Sequence, residues 1–244
     1  MSKTVLITGA SRGIGAETAK QFARAGYRVA INYYTHREAA ETLQKELESA
    51  GADCAAFCAD VSDRIQVDAM VRQIIARFGQ IDVLVNNAGI ARQKLFTDIT
   101  ADEWRQMFSV NMDGMFHTTQ AVLPQMIRRK SGKIINLSSI WGISGASCEV
   151  HYSASKAAVL GFTKALAKEL GPSNITVNCV APGVVSTEMN ANLDQSAMDA
   201  LCEEAPLGRI GSPSEISGLI LFLASEQGDF ITGQVISPNG GIVI

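Results

Sequence analysis

Short runs of β-forming residues alternate with longer amphipathic stretches along the whole chain. Seven runs are typical of strands, at 3–8, 27–33, 54–59, 82–87, 133–139, 175–182 and 234–240. Helical periodicity is seen near 14–25, 37–50, 63–78, 101–129, 153–170 and 213–225. The strands are apolar throughout, which is typical of strands that are buried on both faces of a parallel sheet. The pattern therefore predicts an α/β fold, a doubly wound parallel sheet of about seven strands with helices on both faces.

Residues that cap helices mark where these stretches begin and end. Side chains suited to N-caps are Asp63, Thr100, Ser153 and Ser212, and Glu103 follows Thr100 by three positions, as in a capping box. Glycines suited to C-terminal caps are Gly26, Gly51, Gly79 and Gly171. The caps support the helix boundaries that the periodicity predicts.

The pattern runs through all 244 residues without a linker or a low-complexity segment. Hydrophobic residues make up 47% of the chain, enough to bury a large core. We therefore predict a single domain over 1–244. The one long irregular stretch, about 183–211, follows a strand end, where ligand sites form in α/β folds, and is expected to act as a substrate lid.

Charge and hydropathy disfavour several classes of protein. The net charge is −3, and the longest basic run is Arg128-Arg129-Lys130, so nucleic acid is not an expected partner. No window approaches the roughly 18 apolar residues of a membrane span, and the N-terminal sequence lacks the apolar stretch of a signal peptide. We expect a cytoplasmic protein without a membrane partner.

The five cysteines form no CxxC pair. Buried, reduced thiols are the expected state. Cys54 and Cys58 share one face of a predicted strand, but no further Cys or His completes a zinc set, so no metal site is expected.

A glycine-rich turn joins the first predicted strand to the first helix, over residues 8–15. Glycines allow a sharp turn and let a pyrophosphate approach the N-terminus of a helix, where free N–H groups favour an anion. Tight packing alone can also require glycines, but the strand–turn–helix context favours a Rossmann-type dinucleotide site. Its candidate residues are Gly9, Ser11, Arg12, Gly13, Ile14 and Gly15.

The end of the second strand bears on which dinucleotide binds. NAD sites usually place a carboxylate there for the ribose hydroxyls, but residues 32–34 include none, and Tyr33 ends the strand. Arg12, His36 and Arg37 lie nearby, and an arginine fork can hold the 2′-phosphate of NADP(H). The alternative is that both arginines are solvated surface charges.

The third strand ends in a second candidate contact for the nucleotide. Asp60 and Val61 are expected to contact the adenine through a carboxylate and an apolar wall. The alternative for Asp60 is a cap on the next helix.

Further polar residues follow the later strands. Asn87, Ala88 and Gly89 close the fourth strand, and Ser139 closes the fifth. Tyr152 and Lys156 are four residues apart and so share a helical face, where the ammonium is expected to lower the pKa of the phenol. Such a tyrosine can protonate a carbonyl oxygen while Ser139 donates to the same atom. Taken alone, this spacing is also common at the edge of an amphipathic helix.

Taken in order, these motifs resemble those of the short-chain dehydrogenase/reductase family over essentially the whole chain. The matching elements are residues 8–15, Asp60-Val61, 86–89, Asn111, Ser139, 152–156 and Pro182-Gly183 with Thr187. The resemblance implies a Ser139-Tyr152-Lys156-Asn111 tetrad in which Asn111 supports a proton relay and Lys156 also holds the nicotinamide ribose. It also implies cofactor contacts from Asn87, Pro182, Gly183, Val185 and Thr187. From the residues alone, Asn111 is equally a helix-kink residue and Thr187 a helix cap.

Within the family, two groups of reductases share features with this chain. Segments 182–189 and 206–216 resemble bacterial 3-oxoacyl-[acyl carrier protein] reductases of fatty acid biosynthesis. This resemblance implies a homotetramer. It also implies that Arg128, Arg129 and Lys130 form a basic edge that binds an acidic carrier protein. Those enzymes often have an arginine near the position of Ser173. Solvated charges at a helix end are the alternative for the basic run.

Segment 138–153 is similar to the reductase that acts on 5-aminopentanone-modified lysine of elongation factor P. Glu149 would then face an amine of the substrate, and Trp141 would wall the pocket. Packing of Trp141 on the lid and a solvated Glu149 are the alternative. A protein that binds NADP(H) without turnover is the alternative of another class, although it would not need Tyr152 as a proton donor.

Overall fold

The computed structural model describes residues 2–188 and 195–244. Its core is a seven-stranded parallel sheet in the order β3-β2-β1-β4-β5-β6-β7. The strands are β1 (Thr4–Ile7), β2 (Arg28–Tyr33), β3 (Cys54–Cys58), β4 (Val83–Asn86), β5 (Gly132–Leu137), β6 (Ile175–Val180) and β7 (Val235–Ile236). The sheet confirms the predicted α/β fold.

The helices of the described residues are α1 (Gly13–Arg24), α2 (Arg37–Ser49), α3 (Arg64–Phe78), α4 (Ala101–Phe108), α5 (Gly114–Arg129), α6 (Trp141–Ser144), α7 (Val150–Leu170), α8 (Gln195–Glu204) and α9 (Pro213–Ala224). Buried side chains of α1, α2 and α9 pack on one face of the sheet, among them Phe22, Leu43 and Ile220. Those of α3, α5 and α7 pack on the other face, among them Ile74 and Met126. The result is the three-layer arrangement that the sequence predicts.

The strand order reverses next to β1, which pairs with β2 on one side and with β4 on the other. The chain thus leaves the middle of the sheet in both directions. In open α/β sheets the carboxyl ends of the strands at such a reversal form a crevice for ligands. The loops after β1 and β4 meet there.

Three of the predicted N-caps are confirmed. The Asp63 carboxylate accepts from the backbone N–H groups of Ile65 and Gln66, and capping boxes begin α4 at Thr100 and α9 at Ser212. Gly26, Gly51 and Gly79 have positive φ and follow helix ends as expected.

One predicted N-cap is wrong. Ser153 lies inside α7, which begins at Val150, so Tyr152 stands in the first turn of the helix. Gly171 does cap the C-terminus of α7, but its φ of −50° is not left-handed. It opens a 3-10 turn, and the left-handed residue that ends this turn is Asn174, with a φ of 54°.

The long helix predicted over 101–129 is two helices joined by a π-helical turn at Ser109–Asp113. The extra residue of a π turn shifts the helical register, a feature that often accompanies functional sites. The short helix α6 and helix α8 were not predicted. Part of the proposed lid, 189–194, lies outside the described residues.

The expectation that the thiols are buried is confirmed for two cysteines and wrong for the other three. All five cysteines are free, but only Cys54 and Cys179 are buried, whereas Cys58 is exposed. In the part of the chain that the structure describes, His, Cys, Asp and Glu form no group of three or more that could hold a metal. No described helix is both long and apolar enough to cross a membrane.

Candidate active site

A cavity of about 460 Å³ lies at the crevice beside β1, between the glycine turn and the ends of β2, β3 and β4. It brings together most of the residues predicted to bind a dinucleotide. Those that line it are Gly9, Ser11, Arg12, Gly13, Ile14, Gly15, Tyr33, Asp60, Val61, Asn87, Ala88, Gly89 and Thr187.

The glycine turn is packed so closely that its last glycine admits no side chain. A Cβ on Gly15 would lie 2.5 Å from the Gly9 carbonyl oxygen and 2.6 Å from the Asn87 side-chain nitrogen. That nitrogen donates to the carbonyls of Thr8 (2.9 Å) and Gly9 (3.0 Å), which ties the loop after β4 to the end of β1. Among the described residues, the N-cap residue Arg12 makes no side-chain cap on the first turn of α1. The turn therefore directs helix N–H groups at the cavity, where they favour an anion.

Of the two arginines predicted to bind the 2′-phosphate, only Arg12 lines the far end of this cavity. Arg12 lines the wall together with Thr35 and His36. Arg37 does not, because it is the first residue of α2 and its guanidinium binds the Glu41 carboxylate one turn along at 2.7 Å. Its predicted contact with the cofactor therefore requires that ion pair to open.

Asp60 has a partner within its own turn. Its Oδ1 accepts from the backbone N–H of Ser62 at 2.9 Å and from the Ser62 hydroxyl at 2.7 Å. The helix cap is Asp63 instead. Asp60 thus shapes the turn beside the cavity, and Val61 lies next to it in the wall.

A second cavity, of about 480 Å³, adjoins the first at Ile14, Asn87, Gly89 and Thr187, which line both. Its wall includes the predicted Ser139, Tyr152, Lys156, Pro182, Gly183 and Val185. A ligand that spans both cavities would run from Arg12 to Tyr152, as a dinucleotide would.

Tyr152 and Lys156 project into the second cavity from adjacent turns of α7. The Lys156 side chain is 5% exposed, its Nζ donates to the Leu137 carbonyl at 3.0 Å, and it lies 5.8 Å from the centre of the Tyr152 ring. The Ser139 hydroxyl lies near enough to the phenol to lower its pKa. The Ser139 oxygen also accepts from the Trp141 backbone N–H at 3.1 Å. Both hydroxyls can therefore reach one oxygen atom of a substrate.

Burial controls the protonation of this pair. It raises the pKa of Tyr152 to about 12, although the hydrogen bond from Ser139 lowers it and the charge of Glu149 raises it further. Burial also lowers the pKa of Lys156 to about 8. The expectation that the ammonium lowers the tyrosine pKa is wrong for this structure, because loss of water disfavours both charged forms. The phenol stays protonated near neutral pH, the form that a proton donor needs.

Asn111 lies in the π turn and lines neither cavity. Its Nδ2 donates to the Ile90 carbonyl (2.9 Å) and to the Ser155 hydroxyl (3.0 Å), and its Oδ1 accepts from the Ile90 N–H at 2.8 Å. A Cβ on Gly89 would lie 3.2 Å from Asn111 Oδ1 and 3.3 Å from Lys156 Nζ. The amide therefore fixes the loop after β4 directly beside the buried lysine.

Known proteins match this chain over almost its full length. A family model described as enoyl-(acyl carrier protein) reductase matches residues 9–243. A 3-oxoacyl-[acyl-carrier-protein] reductase of Staphylococcus aureus is 43% identical over 242 residues, 99% of this chain and 98% of the relative. One of Thermotoga maritima has the same identity and coverage, and one of Chlamydia trachomatis is 42% identical over 245 residues, 99% and 98% of the two chains.

The chain belongs to the short-chain dehydrogenase/reductase family. It is an oxidoreductase that acts on a carbonyl or hydroxyl group. The sheet order, the glycine turn and the paired hydroxyls of this reductase agree with that membership.

Several wall residues of the reductase were not identified from the sequence. Arg92 and Gln93 line the second cavity from the loop after β4. Gln106, Ser109 and Val110 line the first cavity, which we call the dinucleotide cavity, from α4 and the π turn. The loop after a strand was a usable signal for the first two. Val110 lies in the π turn, and the hydrophobic periodicity of the sequence does not show the register shift of that turn.

Glu149 is a buried acid at the second cavity. It is 9% exposed, it lines the same wall as Trp141 and Tyr152, and burial raises its pKa. Gln93 Nε2 donates to its carboxylate at 3.2 Å. A buried carboxylate held by an amide rather than a cation is costly, which makes it a candidate for substrate recognition.

Proposed function

We propose that this enzyme reduces a ketone to a secondary alcohol with NADPH, and that the ketone is a 3-oxoacyl group on an acyl carrier protein. The proposal rests on the hydroxyls of Ser139 and Tyr152, which line one cavity together with Lys156, and on the dinucleotide cavity that adjoins it. The curated relatives, described as 3-oxoacyl-[acyl-carrier-protein] reductases, support the substrate.

When bound, the nicotinamide supplies a hydride to the carbonyl carbon. Ser139 donates a hydrogen bond to the carbonyl oxygen and stabilises the charge that develops there. Tyr152 transfers its phenolic proton to the same oxygen, which completes the alcohol. The Lys156 ammonium then stabilises the phenolate until it is reprotonated. Asn111 is a positioning residue that holds the loop at Ile90 and the Ser155 hydroxyl.

The dinucleotide cavity fits a phosphorylated ribose at its far end. Arg12 is a permanent cation there and can form charge-assisted hydrogen bonds to a 2′-phosphate, with Thr35 and His36 beside it. Arg37 joins if its ion pair with Glu41 opens. Equal catalytic efficiency with NADH and NADPH would remove the role assigned to both arginines.

The surface has two features suited to protein partners. Arg128 and Lys130 are exposed at the end of α5 and can meet an acidic carrier, whereas Arg129 is used internally, donating to the Gln125 side chain and the Ile81 carbonyl. On α4 and α5, Trp104 and Phe116 are exposed. We expect these aromatic side chains to contact a second copy of the chain in a homotetramer.

A second candidate substrate is the 5-aminopentanone group on modified lysine of elongation factor P. The buried carboxylate of Glu149 favours this substrate. Its neighbours Gln93 and Trp141 carry no positive charge, and a protonated amine on the ketone would supply one. Trp141 offers an aromatic face for the same amine. A neutral acyl chain has no positive charge that could pair with the Glu149 carboxylate.

The two substrates are separated by assaying NADPH oxidation on a short 3-oxoacyl thioester and on the modified elongation factor. The first proposal predicts turnover of the thioester, at a rate that Glu149→Gln leaves within about twofold. Turnover of the modified protein alone, with KM raised by roughly tenfold or more in Glu149→Gln, would establish the second. Absence of turnover with every ketone, together with tight NADPH binding, would favour a protein that senses NADP(H) without catalysis.

A further inference from the structure

The dinucleotide cavity carries an acid where the cofactor would place its own negative charge. Glu188 lines this cavity together with Gly9, Ser11, Arg12 and Gly13. Its Oε2 lies 3.6 Å from the position that a Cβ on Gly13 would take. Gly13 is the first residue of α1. The carboxylate therefore lies beside the first residue of that helix, within the dinucleotide cavity.

The first turn of α1 contains no acidic side chain that could interact with the positive end of the helix dipole. The N-cap residue Arg12 makes no side-chain cap. Unpaired N–H groups and the helix dipole favour an anion at such a terminus. A pyrophosphate and a carboxylate seek the same donors, and two anions on one set of donors repel each other.

The chain just before Glu188 is anchored. Val185 forms a parallel β-bridge with Gly211, the Ser186 N–H donates to the Gly211 carbonyl at 2.9 Å, and the Gly211 N–H donates to the Val184 carbonyl at 2.9 Å. Thr187, next to Glu188, lines both cavities. The backbone thus places Glu188 beside the helix terminus. The Glu188 side chain is exposed, so it can rotate away without breaking the hydrogen bonds between residues 184–186 and Gly211.

We propose that Glu188 is a competitor within the chain for the pyrophosphate position at the N-terminus of α1, displaced when the dinucleotide binds. Until then the carboxylate holds a negative charge beside the helix terminus and weakens cofactor affinity. The inference rests on the proposed NADP(H) binding. It concerns Glu188 alone and leaves the chemistry at Tyr152 unchanged.

The test measures NADPH affinity of Glu188→Gln by fluorescence titration at low ionic strength. Removing the charge should lower Kd by about two- to fivefold, and the gain should shrink as salt screens the repulsion. Glu17→Gln is the matched control, because it removes the same charge from the body of α1, where Glu17 pairs with Arg24. It should bind NADPH as the wild type does.

A second ligand locates the effect. Adenosine 2′-monophosphate occupies the adenosine end but has no pyrophosphate, so its affinity should be the same in Glu188→Gln and wild type. Unchanged or weaker NADPH binding in Glu188→Gln would overturn the inference, as would an equal gain for Glu17→Gln or for adenosine 2′-monophosphate. If the wild type binds neither NADPH nor NADH, the cofactor proposal itself fails and this inference with it.

Discussion

His151 precedes the proposed proton donor in α7, and its side chain is 1% exposed. Neither ring nitrogen has a hydrogen-bond partner among the described residues. Burial lowers its pKa, the charges of Arg92 and Lys94 lower it as well, and Glu103 raises it. The imidazole is therefore held neutral within the folded protein.

This residue should make the free energy of unfolding depend on pH. The folded pKa lies below the unfolded value of about 6.5, so the contribution is complete above pH 6.5 and is lost as the pH falls toward the folded pKa. Urea unfolding at pH 7.5 and pH 5.5 should show a larger loss of stability for the wild type than for His151→Leu. Equal losses in the two proteins would show that His151 is not the titrating group.

At the scale of single elements, the turn between β1 and α1 depends on a glycine that has no room for a methyl group. Gly15→Ala forces a Cβ against the Gly9 carbonyl and the Asn87 amide. We expect it to cost about 1–3 kcal/mol of stability and to weaken NADPH binding by roughly tenfold or more. Gly26→Ala is the control, since its φ of 81° makes alanine cost about 1–2 kcal/mol, but no atom of the described residues lies within 4 Å of the added Cβ. Unaltered NADPH affinity in Gly15→Ala would contradict this account.

The elements also show what the sequence can and cannot predict. The capping box at Thr100 is local, so the spacing of Thr100 and Glu103 predicted it, and residue type predicted Ser212 as an N-cap. Ser153 is an equally good cap by type, but α7 begins at Val150, a start that its sequence does not signal. The π turn at 109–113 is invisible to periodicity, since one added residue shifts the register without changing composition.

The candidate site divides in the same way. The glycine turn and the Tyr152, Lys156 and Ser139 set follow from strand ends and helical spacing, and the structure brings them to adjoining cavities. The direction in which Arg37 points depends on a competing acid one turn along, Glu41. The raised pKa of Tyr152 depends on burial, which a spacing of four residues does not reveal.

For the whole molecule, the exposed aromatic side chains of α4 and α5 lead to a prediction about assembly. Trp104 is 37% exposed and stacks on Phe108 with ring centres 5.0 Å apart, and Phe116 is 44% exposed. Trp104→Glu would place a charge in the proposed contact between copies and should shift sedimentation from tetramer toward dimer or monomer. Ile65→Glu on α3, at an isolated position that is 79% exposed, is the control and should leave assembly unchanged. An unchanged tetramer in Trp104→Glu would move the interface elsewhere.

The most direct measurement of the proposed chemistry is single-turnover NADPH oxidation by Tyr152→Phe with the ketone that the wild type reduces. Removing one hydroxyl oxygen takes away the proton donor and leaves Ser139 and Lys156 in the cavity. We predict a fall in rate of roughly a hundredfold or more, the scale of general acid catalysis, with the Kd for NADPH within about twofold of wild type. A variant that keeps the wild-type rate would contradict the assignment of Tyr152 as the acid.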